Sequence, residues 1–288
     1  MIDADKTLRT AQKKFIEYLK KQGKASATIV AYGKDIDQFS EYLGKKQISR
    51  VTSVLSEHIE NFKDYLAENK YTPKSISRKL NSIKTFFRFL KSEDLIEEDP
   101  AASIPHPRYE ITPPRILSKM EYRALRDSVR DDPRAAAIVE LLLQTGMRIG
   151  ELARLELKDI TDKEIRIRAY ESHPERIIPL NSPAKKAKDR WLNFRPKTKS
   201  NALLVTRTGK PLMIRNIRSA LNRFFHLAGI EKATINSLRH TFIAHQLMAG
   251  APVDLIQKIV GHKRLSTTEK YLELVKENVS QIPKIEEL

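Results

Sequence analysis

The sequence predicts a mainly α protein with a small β-sheet: an all-helical first domain, then a mixed α+β second one. Three observations lead there. Apolar residues recur at helical spacing, with glycine or polar stops, through residues 6–100. Five prolines (100, 105, 107, 113 and 114) then break all periodicity. Beyond them helical stretches resume around "KEIRIRAY" and "ERIIPLN", which alternate or run β-branched and read as a hairpin around "ESHP".

Taken in order, "TLRTAQKKFIEYLKKQG" puts Leu8, Phe15 and Leu19 on one face and stops at Gly23. "SATIVAYGKDIDQFSEYLG" is expected to open on a Ser26 cap and to end at Gly44. The next helix, "LSEHIENFKDYLAEN", is expected to cap on Ser56. "TPKSISRKLNSIKTFFRFLKSED" carries Pro73 where a first turn tolerates it. This fourth helix bears Lys74, Arg78, Lys79, Lys84, Arg88 and Lys91. With so few acids among them, they read as a phosphate-facing surface. The segment "PAASIPHPRYEITPP" reads as an extended linker, able to span about 40 Å or more at roughly 3.3 Å per residue. After it come "SKMEYRALRDSV", "PRAAAIVELLLQTG" ending at Gly146, and "MRIGELARLEL", all helical. The hairpin follows, then a further short strand at "ALLVTR". Helices resume from "MIRNIRSALNRFFHLAG" onward.

Composition bounds the function. The 288 residues are 40% hydrophobic and 31% charged, enough for real cores. With no cysteine, disulfides, thiolate zinc sites and a cysteine nucleophile are excluded, and a reducing, cytoplasmic setting is expected. The start "MIDADKTLRT" does not read as a signal peptide, and "AAAIVELLL" is too short to span a bilayer. The net charge of +17 is uneven: 20 basic and 16 acidic side chains in residues 1–110, against 33 and 20 in residues 111–288. Such a balance favours polyanions, with nucleic acid as the default partner.

Three local signals carry chemistry. Arg148 in "TGMRIGEL" follows a helix-ending glycine and opens the next helix, where backbone amides and a guanidinium make an anion site. An ion pair to Glu151 is the structural alternative. In "NSLRHTF", Asn236 and Arg239 share a helical face, with His240 beside them. In "GHKRLSTTEKY", Ser266 and Glu269 are spaced as a capping box, which sets Tyr271 on the first turns of a helix headed by His262. Taken singly, Tyr271 also fits a half-buried core tyrosine, and His262 a loop histidine.

In this order, "TGMRIGEL", "LRHTF" and "GHKRLSTTEKY" resemble the tyrosine recombinase family, in its Xer and phage-integrase branch. The resemblance covers nearly the whole chain. It implies a helical, SAM-like core-binding domain over residues 1–100, a linker over 101–115, a catalytic domain over 116–275 and a protomer-contacting tail over 276–288. It implies a site-specific DNA recombinase in which Tyr271 attacks a phosphodiester and becomes linked to the 3′ phosphate. Arg148, Arg239 and His262 would hold the non-bridging oxygens. No metal or cofactor is called for. The implied partners are duplex DNA with inverted-repeat arms and a tetramer on that DNA, built of this chain alone or with a related recombinase. Lys74, Arg78, Lys79, Lys84 and Arg88 would contact DNA.

Two departures from the family pattern bear on mechanism. The family has a histidine three residues before the second arginine, where this chain has Asn236. Its hairpin lysine, in "GKGxKER", is replaced here by "YESHPER", with Glu171 at that place and His173 at the tip. His173 is the nearest titratable donor for the leaving 5′ oxygen, or else an exposed turn residue. Two other functions stay open: an accessory DNA-binding relative with weak or lost cleavage, and a type IB topoisomerase.

Overall fold

The computed structural model describes residues 6–110, 112–171 and 173–280, with side chains up to Leu274. The chain divides into two compact units, Met1–Ile111 and Thr112–Leu288.

The first unit contains α1 (Leu8–Lys21), α2 (Ser26–Lys45), α3 (Ser56–Glu68) and α4 (Pro73–Ser92). Thr7 caps α1 and Thr72 caps α4, each accepting an amide hydrogen bond from three residues on. The serine caps expected for α2 and α3 fall one residue inside their helices. Ala25 and Leu55 hold the cap positions. The Ser56 hydroxyl donates instead to the Pro100 carbonyl at 2.8 Å, while His58 Nδ1 accepts from the Leu55 amide at 3.0 Å. The periodicity of α4 delivers Ile76, Leu80, Ile83, Phe87 and Leu90 to one buried face. Phe15, Phe39, Phe62 and Phe86 join it in an aromatic core with centroid spacings near 5 Å.

That packing corrects the basic surface expected on α4. Lys79 is only 9% exposed, and its ammonium lies 3.0 Å from Asp35, which is 2% exposed. Arg78 grips the same carboxylate with both terminal nitrogens, at 2.5 and 2.8 Å, and Ser82 adds a hydroxyl at 2.7 Å. Burial would raise the Asp35 carboxyl; the bonds from Arg78, Ser82 and Lys79 outweigh it and lower it. Two of the five expected DNA cations therefore neutralise a buried acid between α2 and α4. Lys84 is half-buried and donates to the Ala102 carbonyl at 3.1 Å, whereas Lys74 and Arg88 are exposed. The expected linker also shortens at its start. Ala101 and Ile104 are buried in the first unit's core, and His106 meets Ser77 at 3.0 Å.

The second unit runs α5 (Lys119–Ser128), α6 (Pro133–Thr145), α7 (Ile149–Arg154), β1 (Glu164–Ile167), β2 (Arg176–Pro179), α8 (Ser182–Phe194), α9 (Ile214–Leu227), α10 (Ile235–Met248), α11 (Val253–Val260) and α12 (Leu265–Ser280). β1 and β2 pair antiparallel, Glu164 opposite Pro179 and Ile167 opposite Arg176. Ile165, Ile167 and Ile178 point into the core, as alternation requires. The strand expected at "ALLVTR" does not form. Leu203, Leu204 and Val205 are all buried, but the segment makes only isolated bridges, Ala202 to Glu156 and Val205 to Pro211. An unbroken apolar run buried on every side lacks the alternation that would pin a strand register. Helix α12 begins at Leu265, so Ser266 lies in its first turn and not at its cap. Among the described residues no helix is long and apolar enough to cross a membrane. The side chains of the tail expected over 276–288 lie outside the described residues.

Candidate active site

The site grows from two helix ends. Helices leave their last carbonyls without intrahelical donors, and the negative end of the dipole favours cations there. α6 and α11 both end on left-handed glycines, Gly146 (φ +60°) and Gly261 (φ +67°). A Cβ at Gly146 would sit 2.4 Å from the Phe242 ring, and one at Gly261 would sit 3.1 Å from the Arg176 guanidinium. Both positions need glycine for backbone angle and for room.

Guanidiniums occupy these ends. Arg239, on α10 and 7% exposed, donates to the Gly146 carbonyl at 2.5 Å and to the Val260 carbonyl at 2.8 Å. Arg148, just before α7, donates to the Gly261 carbonyl at 2.9 Å. Its amide and its Nη1 also donate to Glu151, at 2.8 and 3.0 Å, so the ion pair weighed as an alternative does form. Arg176, at the start of β2, donates to the Ile259 carbonyl at 2.7 Å and to both Glu151 oxygens at 2.9 and 2.7 Å. Burial would raise the Glu151 carboxyl, but Arg176 and Arg148 overcome it and bring it down to about 2. One carboxylate thus faces three arginines, and the surplus is positive. Arg239 registers it: burial first, then repulsion from Arg148, brings its guanidinium down to about 9.

The remaining residues line the same cleft, of about 600 Å³, together with Arg148 and Arg239. Tyr271 on α12 is 6% exposed, its ring packed with Phe242, Ile243 and Val260. Burial pushes its phenol up, against a smaller downward pull from Arg239. Its hydroxyl lies 2.6 Å from His240 Nδ1. His262 stacks on the Tyr271 ring at 6.3 Å and shares a 2.9 Å hydrogen bond with the Thr268 hydroxyl. Burial, then Arg239 and Arg148, push its imidazole down to about 4. One of the hydroxyls in "LSTTE" therefore orients His262.

The hairpin completes the wall. Tyr170 and His173 exchange backbone hydrogen bonds at 3.0 and 2.9 Å, closing a tight turn with Glu171 at φ +50°. Arg154 stacks over the Tyr170 ring at 3.7 Å. Glu171 is exposed, while His173 is half-buried. His173 Nδ1 is buried and makes no hydrogen bond among the described residues. Burial and then Arg148 lower its imidazole from the usual value. Asn236 also lines the cleft and is exposed. The structure thus gathers Arg148, Arg239, His262, Tyr271, Asn236, Glu171 and His173 into one cleft; the α4 cations belong to the other unit. Sequence reasoning missed Arg176 and the contact of His240 with Tyr271. The hairpin also carries Arg166 and Arg168, so no local signal singles out Arg176.

Comparison with known proteins follows this division. Residues 115–278 match the model of the phage integrase family, and residues 13–94 match the phage integrase N-terminal SAM-like domain.

The chain belongs to the phage integrase family.

Within that family it is 32% identical over 269 residues to tyrosine recombinase XerD of Rickettsia bellii, covering 86% of this chain and 88% of that one. It is 30% identical over 265 residues to tyrosine recombinase XerC of Staphylococcus saprophyticus, covering 88% and 89%. The crystal structure of XerA recombinase superposes with a TM-score of 0.54 at 27% identity, over 96% of this chain and 99% of that one. A lambda integrase dimer bound to a COC′ core site gives a TM-score of 0.77 at 17% identity, over 97% and 80%, a likeness of fold. The enzyme class is that of the tyrosine recombinases, and the mainly helical fold with a small two-stranded sheet is that of this integrase fold.

Proposed function

We propose that this phage integrase family member is a site-specific DNA recombinase whose nucleophile is Tyr271. The phenolic oxygen attacks a phosphodiester, a bond forms from it to phosphorus, and the bond to the 5′ oxygen breaks. A 3′-phosphotyrosine and a free 5′ hydroxyl result. A 5′ hydroxyl from a partner strand then reverses the step, so strands exchange without hydrolysis. As the nucleophile arrives, charge builds on the two non-bridging oxygens. Arg148 and Arg239 present bidentate donors to that charge, and His262 adds another. Helix-end carbonyls and Glu151 hold both guanidiniums before substrate arrives, so little reorganisation remains for the moment of reaction. Removing one such donor costs about 10²–10³ in rate.

The observation that carries this reading is the buried Tyr271 lining one cleft with two carbonyl-anchored arginines. Asn236 can hold a phosphate oxygen but cannot take a proton. His173, which lines the cleft and whose buried Nδ1 makes no hydrogen bond among the described residues, serves as the acid for the leaving 5′ oxygen in place of the family's hairpin lysine. The exposed cations Lys74 and Arg88 contact phosphates. The DNA carries inverted arms, and copies of the chain assemble on it as a tetramer. The family match and the Xer relatives speak for recombination over an accessory protein without cleavage.

The test is to recover the genomic DNA retained by Tyr271→Phe protein, then challenge wild type with it. A discrete retained sequence and a covalent adduct with wild type support the reading. Uniform retention of all sequences with no adduct would refute it.

A further inference from the structure

The nucleophile proposed above needs to lose a proton, and the residues around it narrow down which group takes it. A phenol has a reference pKa of about 10, so roughly one in a thousand is ionised at pH 7. Burial pushes Tyr271 further from ionisation. The Glu151 carboxylate is already committed to Arg148 and Arg176. His262 is engaged by Thr268, and Asn236 has no basic atom. His240 alone among these is seen on the hydroxyl, with 2.6 Å between Nδ1 and the oxygen.

That contact is built by packing. His240 rides on α10 between Arg239 and Thr241, both buried. Tyr271 rides on α12, seated against Phe242 and Ile243 of the same α10. The two rings lie 5.8 Å apart and tilt by 32°. Two side chains fixed by two packed helices meet at one polar contact, a preorganised pair.

We infer that His240 is the base that accepts the Tyr271 hydroxyl proton through Nδ1 as the phenolic oxygen attacks phosphorus. The inference rests on Tyr271 being the nucleophile. In cleavage the oxygen–phosphorus bond forms, the bond to the 5′ oxygen breaks, and the phenolic proton passes to Nδ1. The 5′ oxygen takes a proton from water or an acid of the cleft. In religation the 5′ hydroxyl attacks phosphorus and gives its proton back to water or to that cleft acid, the bond from phosphorus to the Tyr271 oxygen breaks, and His240 returns its proton to that oxygen. Neutral imidazole is the competent form. Burial and then Arg239 favour it by lowering the His240 pKa. The charged and titratable groups lining the same cleft are Arg239 on its own helix, Tyr271 on α12, His262 before α12, Arg148, Glu151 and Arg154 at α7, Arg218 on α9, and Arg168, Tyr170, Glu171 and His173 along the hairpin, with Glu151 already paired to Arg148 and Arg176. Most are cationic or neutral, so the imidazolium stays disfavoured until the phosphate enters.

Two measurements test this. The first needs no DNA. In ¹⁵N-histidine-labelled protein, with His240 assigned by its loss in His240→Gln, Nδ1 is expected to resonate as the unprotonated nitrogen at pH 7. A protonated Nδ1 would make the phenol the acceptor and overturn the inference. The second uses the genomic fragment retained by Tyr271→Phe, prepared with a bridging 5′ sulfur so that the leaving group needs no proton. Wild-type adduct formation is expected to rise with pH to a plateau. His240→Gln should be slower at pH 7 by about 10²–10⁴ and should regain about tenfold per pH unit towards the phenol's own pKa. His245→Gln, on the same helix but packed on Tyr122, should follow wild type. An unchanged rate and profile in His240→Gln, beside normal wild-type adduct, overturns the inference alone. No adduct from wild type overturns the recombinase reading, and the inference with it.

Discussion

Replacing Glu151 by Gln is expected to cost the second unit about 3–5 kcal/mol, the usual penalty for breaking a buried ion pair by removing one partner. The carboxylate, 5% exposed at its side chain, accepts from both terminal nitrogens of Arg176 and from the amide and guanidinium of Arg148. Its pKa falls from 4.5 to about 2 on folding. At about 1.4 kcal/mol per pKa unit this is roughly 3 kcal/mol in favour of the folded state, in line with the mutational figure. A depressed folded pKa stabilises above the unfolded value, so this contribution is complete above about pH 4.5 and is lost as pH falls towards 2. Arg176→Met leaves the acid with Arg148 alone and should cost a similar amount. The double variant should lose less than the sum, by about 1–3 kcal/mol of coupling. Trp191 is the only tryptophan, lies in the second unit and is 5% exposed, so urea unfolding followed by its fluorescence reads that unit without the other. A loss below about 1 kcal/mol for Glu151→Gln, or strict additivity, would refute Glu151 as the hub that fixes the arginines.

Other outcomes follow from the same geometry. DNA affinity should fall steeply with salt, log K against log salt having a slope of several units if several phosphates are neutralised; a flat dependence would contradict a DNA-facing role for the +17 charge. Arg88→Ala should weaken DNA binding and leave urea stability unchanged, while Lys79→Met should change stability first, because Lys79 pairs with buried Asp35; the reverse pattern would undo that division. His173→Ala should slow cleavage of ordinary DNA by about 10²–10⁴ and barely affect a substrate with a bridging 5′ sulfur. Its imidazole is lowered by burial and Arg148, so the acid form fades and ordinary cleavage slows as pH rises past that pKa; equal rates on both substrates would place the acid elsewhere.

Much of this was legible in the sequence because it depends on local rules. Gly146 and Gly261 announce helix ends, and Pro73 announces a first turn. Their consequence, an arginine on each terminal carbonyl, needs segments about a hundred residues apart to meet, and no spacing rule reports that. The charge run on α4 was legible as charge but not as partnership: Asp35 lies more than forty residues upstream of Arg78 and Lys79, in a helix that reads as ordinary. Ser26 and Ser56 fall one residue inside their caps and Ser266 two, since these serines carry the right chemistry but the backbone before them starts the turn. "ALLVTR" has strand composition, yet its apolar residues are buried on all sides and find no continuous partner. The His240 contact with Tyr271 escaped because it depends on how α10 and α12 pack together.

The most direct test of the central claim is to incubate wild-type protein with the DNA that Tyr271→Phe retains, carrying a bridging 5′ sulfur, and to map the linked peptide by mass spectrometry. One nucleotide-bearing peptide is expected, modified on Tyr271 through a 3′ phosphate, with no adduct in the Phe variant. An adduct on Tyr170 or a serine, or one persisting in Tyr271→Phe, would contradict it.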